Sequence, residues 1–317
     1  MKKTVAIFAF SLTSLLFLTQ AAFADYPVTV INPFQADEGR TLIIKERPQK
    51  VLTFGPNCTE LFVALGLGDS VIGNSLNNHS RGPLPEYAEA YNKIPELNYA
   101  NATREAVLTS GADFIYGIDW QFGGSHDSML SVDELAEYGI TTYVEAAQTL
   151  EGAFKEIRDV GAIFAIQETT EAFIADQKKR IEAVQAKVAT VKPLKVLVYD
   201  SGNNGVFTCS GAGFESELIG YAGGENLFGD LKEKVFMTVS YEEVLARDPD
   251  IILIHDYDSP SVEAKILEIK ENSTLSQMSA VKNNRFVSIE LESVLPGSRM
   301  AHTVERLSQA FYPELYK

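Results

Sequence analysis

The side chains best able to do chemistry in this chain suit gripping a ligand better than making or breaking bonds. Arg81 and Arg299 lie on predicted loops of a chain with 43 acidic and 27 basic residues. A guanidinium matches carboxylate and phenolate-type oxygens with paired hydrogen bonds, so two of them on separate loops point to an oxygen-rich, anionic ligand. Trp120 is the single tryptophan and sits on a Gly-flanked loop outside any periodic apolar run. There its ring can stack on a flat ligand. Tyr257 follows a predicted strand and offers a hydroxyl, and Asn57, Asn203, Asn204, Phe122 and Phe207 occupy similar loops. His79 and His255 could ligate a metal directly, although a lone loop histidine is more often solvated or hydrogen-bonded.

Other chemistry finds little support. The four histidines, at 79, 126, 255 and 302, lack the close spacing of a structural zinc site. There is no G-x-S-x-G elbow, no P-loop and no G-x-G-x-x-G at a strand end. Ser210-Gly-Ala-Gly213 is Gly-rich but lacks the lysine of a phosphate loop. An enzyme is therefore not expected. The net charge of −16 argues against nucleic-acid binding, which needs a basic surface. Cys58 and Cys209 are too few for a disulfide scaffold and read as buried thiols.

The chain opens Met1-Lys2-Lys3, runs apolar from Val5 to Leu18 and reaches Ala22-Phe23-Ala24. Charge, apolar stretch and small residues are the three parts of a secretory signal peptide, predicted over 1–24. A membrane anchor is the competing reading, disfavoured because a span needs about 20 apolar residues. No Cys lies near the cleavage site to carry a lipid, so export to the periplasm in soluble form is expected.

Short apolar strands then alternate with helices, which indicates parallel sheets covered by helices. A hairpin turning at Asp37–Arg40 comes first. Strands are predicted at 51–54, 71–73, 113–116 and 141–144, and helices at 59–67, 101–110 and 131–138. From Leu150 to Val191 there is no Pro, and apolar residues recur near a helical period at Phe154, Ile157, Phe164, Ile174, Ile181, Val184 and Val188. The spacing predicts one long amphipathic helix of about 60 Å, with two helices turning near Gly161 as the alternative. Beyond Pro193, strands are predicted at 195–199, 251–254 and 285–289, and helices at 214–221, 241–247 and 298–311. A repeat runs through this layout: Glu105-Ala-Val-Leu-Thr-Ser-Gly-Ala-Asp113 parallels Glu242-Glu-Val-Leu-Ala-Arg-Asp-Pro-Asp250. Two similar lobes with a cleft between them are expected, and such clefts are favoured ligand sites. Ligands of parallel sheets bind beyond the carboxyl ends of the strands, which selects loops 54–58, 74–81, 117–124, 201–213, 255–258 and 291–299.

These residues resemble a known family. Phe54-Gly-Pro-Asn-Cys-Thr-Glu60-Leu-Phe-Val-Ala-Leu-Gly66, Ala222-Gly-Gly-Glu-Asn226-Leu-Phe-Gly-Asp230 and Val239-Ser-Tyr-Glu242 through Asp250 are similar to motifs of group III periplasmic binding proteins. That family carries siderophores, haem and vitamin B12 to ABC importers. The resemblance implies an α/β fold of two Rossmann-like lobes with mainly parallel sheets, 25–149 and 192–317, bridged by a long helix over 150–191. It implies a monomer without intrinsic cofactor that captures a small iron chelate, an Fe(III)-siderophore, and delivers it to a membrane permease. Ligand-binding positions would be Asn57, His79, Arg81, Trp120, Phe207, His255, Tyr257 and Arg299, with Glu105 and Glu242 docking onto arginines of the permease. A ferric chelate often carries the negative charge that Arg81 and Arg299 would meet. Cobalamin, haem or another metal chelate is the alternative cargo; cobalamin would favour aromatic walls over paired arginines. The disulfide of the vitamin B12 carrier has no counterpart, since Ala222 stands at the matching position.

Overall fold

The computed structural model describes residues 26–34, 39–122 and 131–317. The predicted signal peptide, most of the hairpin turn and His126 lie outside the described residues. The chain enters through an antiparallel ribbon, β1 (Val28–Asn32) and β2 (Arg40–Ile44). A five-stranded parallel sheet follows, made of β3 (Val51–Phe54), β4 (Val71–Ser75), β5 (Glu96–Asn98), β6 (Phe114–Ile118) and β7 (Thr141–Glu145), in the order β5-β4-β3-β6-β7. β3 is central, so its run of Val, Leu, Thr and Phe is buried on both faces. The helices of this half are α1 (Pro56–Ala64), α2 (Ala88–Tyr91), α3 (Arg104–Thr109) and α4 (Val132–Glu137).

The second half contains β8 (Leu194–Tyr199), β9 (Ser201–Gly202), β10 (Val206–Cys209), β11 (Gly224–Asn226), β12 (Phe236–Val239), β13 (Ile251–Asp256) and β14 (Phe286–Glu290). Four of these form a parallel sheet in the order β11-β8-β13-β14, and β12-β10-β9 form a small antiparallel one. In each parallel sheet the first strand is central and the chain then winds both ways. A topological switch point therefore lies between β3 and β6 and another between β8 and β13, where ligand crevices form. The sequence repeat has a structural counterpart. The Asp113 carboxylate accepts hydrogen bonds from the backbone N–H groups of Gln49 (2.9 Å) and Lys50 (3.0 Å), and Asp250 does the same for Lys195 (2.8 Å). Each aspartate anchors the entrance of a central strand.

The segment from 150 to 191 is not one rod. It forms α5 (Leu150–Phe164) and α6 (Gln167–Val188), with Ala165 between them in the left-handed conformation at φ 57°. The two helices run antiparallel: Arg158 pairs with Glu171 at 2.7 Å and Lys178 with Glu151 at 2.7 Å. Close approach at the turn requires Gly161, where a Cβ would lie 2.3 Å from Thr170 Oγ1. The 22-residue α6 reaches about 33 Å. Its first turns lie against α5 and its last against α11 (Met300–Phe311), where Arg180 pairs with Glu305 at 2.6 Å and the Gln177 carboxamide oxygen accepts from Ala301 N–H at 2.8 Å. The remaining helices are α7 (Phe214–Tyr221), α8 (Tyr241–Arg247), α9 (Val262–Glu271) and α10 (Ser279–Lys282). No helix among the described residues is long and apolar enough to cross a membrane.

Candidate functional site

The carboxyl ends of the two parallel sheets face one cavity of about 210 Å3. One wall follows β6 and β7 and carries Asp119, Trp120, Glu145 and Gln148; the other carries Phe214 and Glu215 at the start of α7, with Cys209, Val235 and Phe236 beside them. Val294, Leu295 and Pro296, between β14 and α11, close the back. Trp120 is 41 % exposed, as a ring awaiting a partner would be. Phe207 stacks on Phe236 with centroids 5.4 Å apart and extends the apolar wall outward.

The charges are arranged differently from the sequence expectation. No Arg or Lys lines the cavity among the described residues; Asp119, Glu145 and Glu215 do. Arg299 is buried, and its guanidinium grips Glu60 of α1 with Nε to Oε1 at 2.8 Å and Nη2 to Oε2 at 2.6 Å. It also donates to Gly82 O (2.8 Å) and lies 3.4 Å from Glu292. Arg81 pairs with Asp256 at 2.7 Å and donates to Tyr257 O at 2.7 Å. The two arginines thus bind protein carboxylates, where the sequence suggested a ligand's oxygens. An acidic chain that buries Glu60 and Glu292 needs a cation against them, and Arg299 supplies it.

His255 is likewise engaged. It is fully buried at the end of β13, with Nδ1 3.0 Å from Asp200 Oδ1 and Nε2 3.0 and 3.1 Å from the two oxygens of Glu215. Burial opposes its charge, but Glu215 and Asp200 outweigh this and raise its pKa to about 9. With both ring nitrogens donating, His255 is unsuited to hold a metal. Tyr257 donates its hydroxyl to Asp200 Oδ2 at 3.1 Å, and its ring lies under the buried Lys265 ammonium, 3.8 Å away. His79 stands at the cleft edge between the rings of Trp120 (6.4 Å) and Tyr257 (6.1 Å), and its Nδ1 is buried without a partner. Asn57, also buried, donates to Pro296 O at 2.8 Å and contacts Glu145 Oε2 at 3.4 Å beneath the cavity. Phe122 belongs to the core, packed on Phe34 and Phe54, and Asn203 and Asn204 form the β9–β10 turn.

Of the predicted ligand residues only Trp120 lines the cavity; Asn57, His79, Phe207 and His255 touch residues that line it, and Tyr257 packs beside His79. Glu145, Glu215 and Phe236 were missed, and Asp119 lay in the selected loop 117–124 without being singled out. Glu145 ends a strand, so the carboxyl-end rule could have found it. Glu105 and Glu242 are exposed in the first turns of α3 and α8, and those helices are capped alike by Thr103 and Ser240, whose hydroxyls accept from backbone N–H groups. Cys58 and Cys209 are buried free thiols, and burial pushes both well above the usual thiol range.

Two parallel sheets of like winding around a shared cleft describe a receptor for a small molecule, and residues 51–291 match the family described as periplasmic binding protein. The chain belongs to that family. This binding protein is 25% identical over 297 residues to an uncharacterized ABC transporter substrate-binding lipoprotein, YvrC, of Bacillus subtilis, covering 92% of this chain and 88% of that one. It is 26% identical over 236 residues to the vitamin B12-binding protein of Photorhabdus laumondii, covering 71% and 81%. A crystal structure of a periplasmic binding protein from Veillonella parvula superposes with a TM-score of 0.80 at 25% identity, covering 90% and 99%. Membership makes the protein a binding component of ABC transport, acting outside the cytoplasm, and not an enzyme.

Proposed function

We propose that this binding protein captures a metal chelate without net negative charge, best fitted by a cobalamin-type corrinoid, and passes it to the permease of an ABC importer. The carrying observation is the lining of the cleft: the rings of Trp120, Phe214 and Phe236 with three carboxyl groups, and no cation among the described residues. An anionic ferric catecholate would meet these carboxyl groups with no cation in the lining to offset its charge. A corrinoid instead offers a broad apolar ring face for the aromatic side chains. The likeness to vitamin B12-binding proteins supports the same reading. The ferric siderophore suggested by Arg81 and Arg299 narrows to uncharged or cationic chelates, because both guanidiniums are occupied within the protein. Residues 25–149 and 192–317 would act as the two lobes, 150–191 would connect them, and Glu105 and Glu242 would present one acidic contact per lobe to the permease. The protein would work as a single copy.

The test is calorimetric titration with cyanocobalamin, a ferric trihydroxamate and a ferric tricatecholate, with Trp120 fluorescence as a second readout. Cyanocobalamin should bind and quench Trp120, and Trp120→Ala should weaken binding about tenfold. Binding of the tricatecholate alone would refute the charge argument.

A further inference from the structure

Glu145 and Glu215 line opposite walls of the cavity but stand in opposite electrostatic settings. Glu145 is 5% exposed, and among the described residues no Lys, Arg or His is paired with it. The groups facing it are Asp119 after β6, Asn57 and Cys58 on α1, Glu156 on α5, and the phenol of Tyr116. Lys155, whose charge reaches Glu156, is committed to Asp159 at 2.6 Å and Ile31 O at 2.7 Å. Glu156 is itself buried, accepting from Ala146 N–H through one oxygen while the other has no partner. Asn57 Oδ1, also buried, is likewise unpartnered. Two buried carboxyl groups and Asp119 in so dry a corner cannot all ionise without a cation. Burial, then the charges of Glu156 and Asp119, hold Glu145 well above the usual carboxylate range, and burial pushes Glu156 up to about 8. Glu215, in contrast, has both oxygens against His255, whose other nitrogen meets Asp200. An imidazolium donates to Glu215 on one side and to Asp200 on the other.

We propose that Glu145 meets the ligand as an uncharged carboxylic acid donating a hydrogen bond, while Glu215 across the cleft accepts one, so that the site selects ligands whose rim carries neutral carboxamides. A primary amide offers one carbonyl oxygen to the first and N–H groups to the second. A ligand carboxylate would satisfy Glu145 but face Glu215 with like charge. His255 is then a positioning residue, which fixes the acceptor. This inference rests on the corrinoid reading, since corrinoids bear peripheral carboxamides, and it deepens that reading to the polar contacts.

Two measurements decide it. Infrared difference spectroscopy of ligand-free wild type against Glu145→Gln at neutral pH should show a protonated-carboxyl C=O band belonging to Glu145; absence of that band overturns the inference whatever the protein binds. Titration with cyanocobalamin should show Glu145→Leu weakened about tenfold, Glu145→Gln recovering most of the loss, and Glu215→Gln also weakened about tenfold. Side-chain monocarboxylic acid derivatives of cyanocobalamin should bind wild type at least tenfold more weakly than the parent. Glu145→Gln as weak as Glu145→Leu, or monocarboxylates bound as well as the parent, overturns the inference while leaving the corrinoid reading intact. Failure of wild type to bind cyanocobalamin overturns that reading itself.

Discussion

His255 carries a proton that belongs to the fold as much as to the site. Its folded pKa of about 9 exceeds the unfolded value near 6.5, so the stabilisation is fully present below about pH 6.5 and is lost as pH rises through 9. The size is about 3 kcal/mol by linkage. Denaturant titrations should show wild type more stable than His255→Gln at pH 6, with the gap closing above pH 9; a gap constant with pH would refute a protonated His255. Sequence reasoning singled out this residue but could not name its protein partners, because Asp200 and Glu215 are 55 and 40 positions away and nothing local announces them. Trp120 was legible because an isolated tryptophan on a glycine-flanked loop has no helix or strand face to fill. Glu145 was not, since one more acid in a chain with 43 acidic residues carries no signal until the fold shows that it is buried without a cation.

At the scale of elements, most helices and strands followed from apolar period and turn chemistry; the predicted helices at 214–221 and 241–247 coincide with α7 and α8. The bend between α5 and α6 appeared only as the alternative reading, placed near Gly161, because an alanine occupies its left-handed position, where glycine or asparagine would have marked a stop. The small β9–β10–β12 sheet escaped altogether, its strands being only two to four residues long. The loop from 294 to 299 is the element on which the cleft most depends. Asn57 holds Pro296, and Glu60 takes both Ser298 (2.6 Å) and Arg299. Arg299→Ala would leave Glu60 and Glu292 buried without their cation and should cost about 3–5 kcal/mol, read by denaturant unfolding. A loss below about 1 kcal/mol, the range of exposed pairs, would show that the cluster is solvated.

At the scale of the whole molecule, the repeat is the most informative feature that could be read before any coordinates. It placed Asp113 and Asp250 at equivalent strand entrances and Glu105 and Glu242 on equivalent capped helices. Neither glutamate side chain has a hydrogen-bonded or ionic partner within the described residues, and first-turn placement already favours an anion. Reversing both, as Glu105→Arg with Glu242→Arg, should abolish uptake in reconstituted vesicles while cyanocobalamin binding stays within twofold. Uptake that survives the double reversal would place the permease contact elsewhere.

The ties across the back of the cleft have a mechanical consequence. Glu60, Asn57 and Ser80 on one side reach Arg299, Pro296 and Glu292 on the other, and Arg81 reaches Asp256, so the two halves are stitched together at several points beside the cleft. Stitches of this kind resist a wide swing of one half against the other. On the proposed reading, letting cargo go would call for a force from outside to part them.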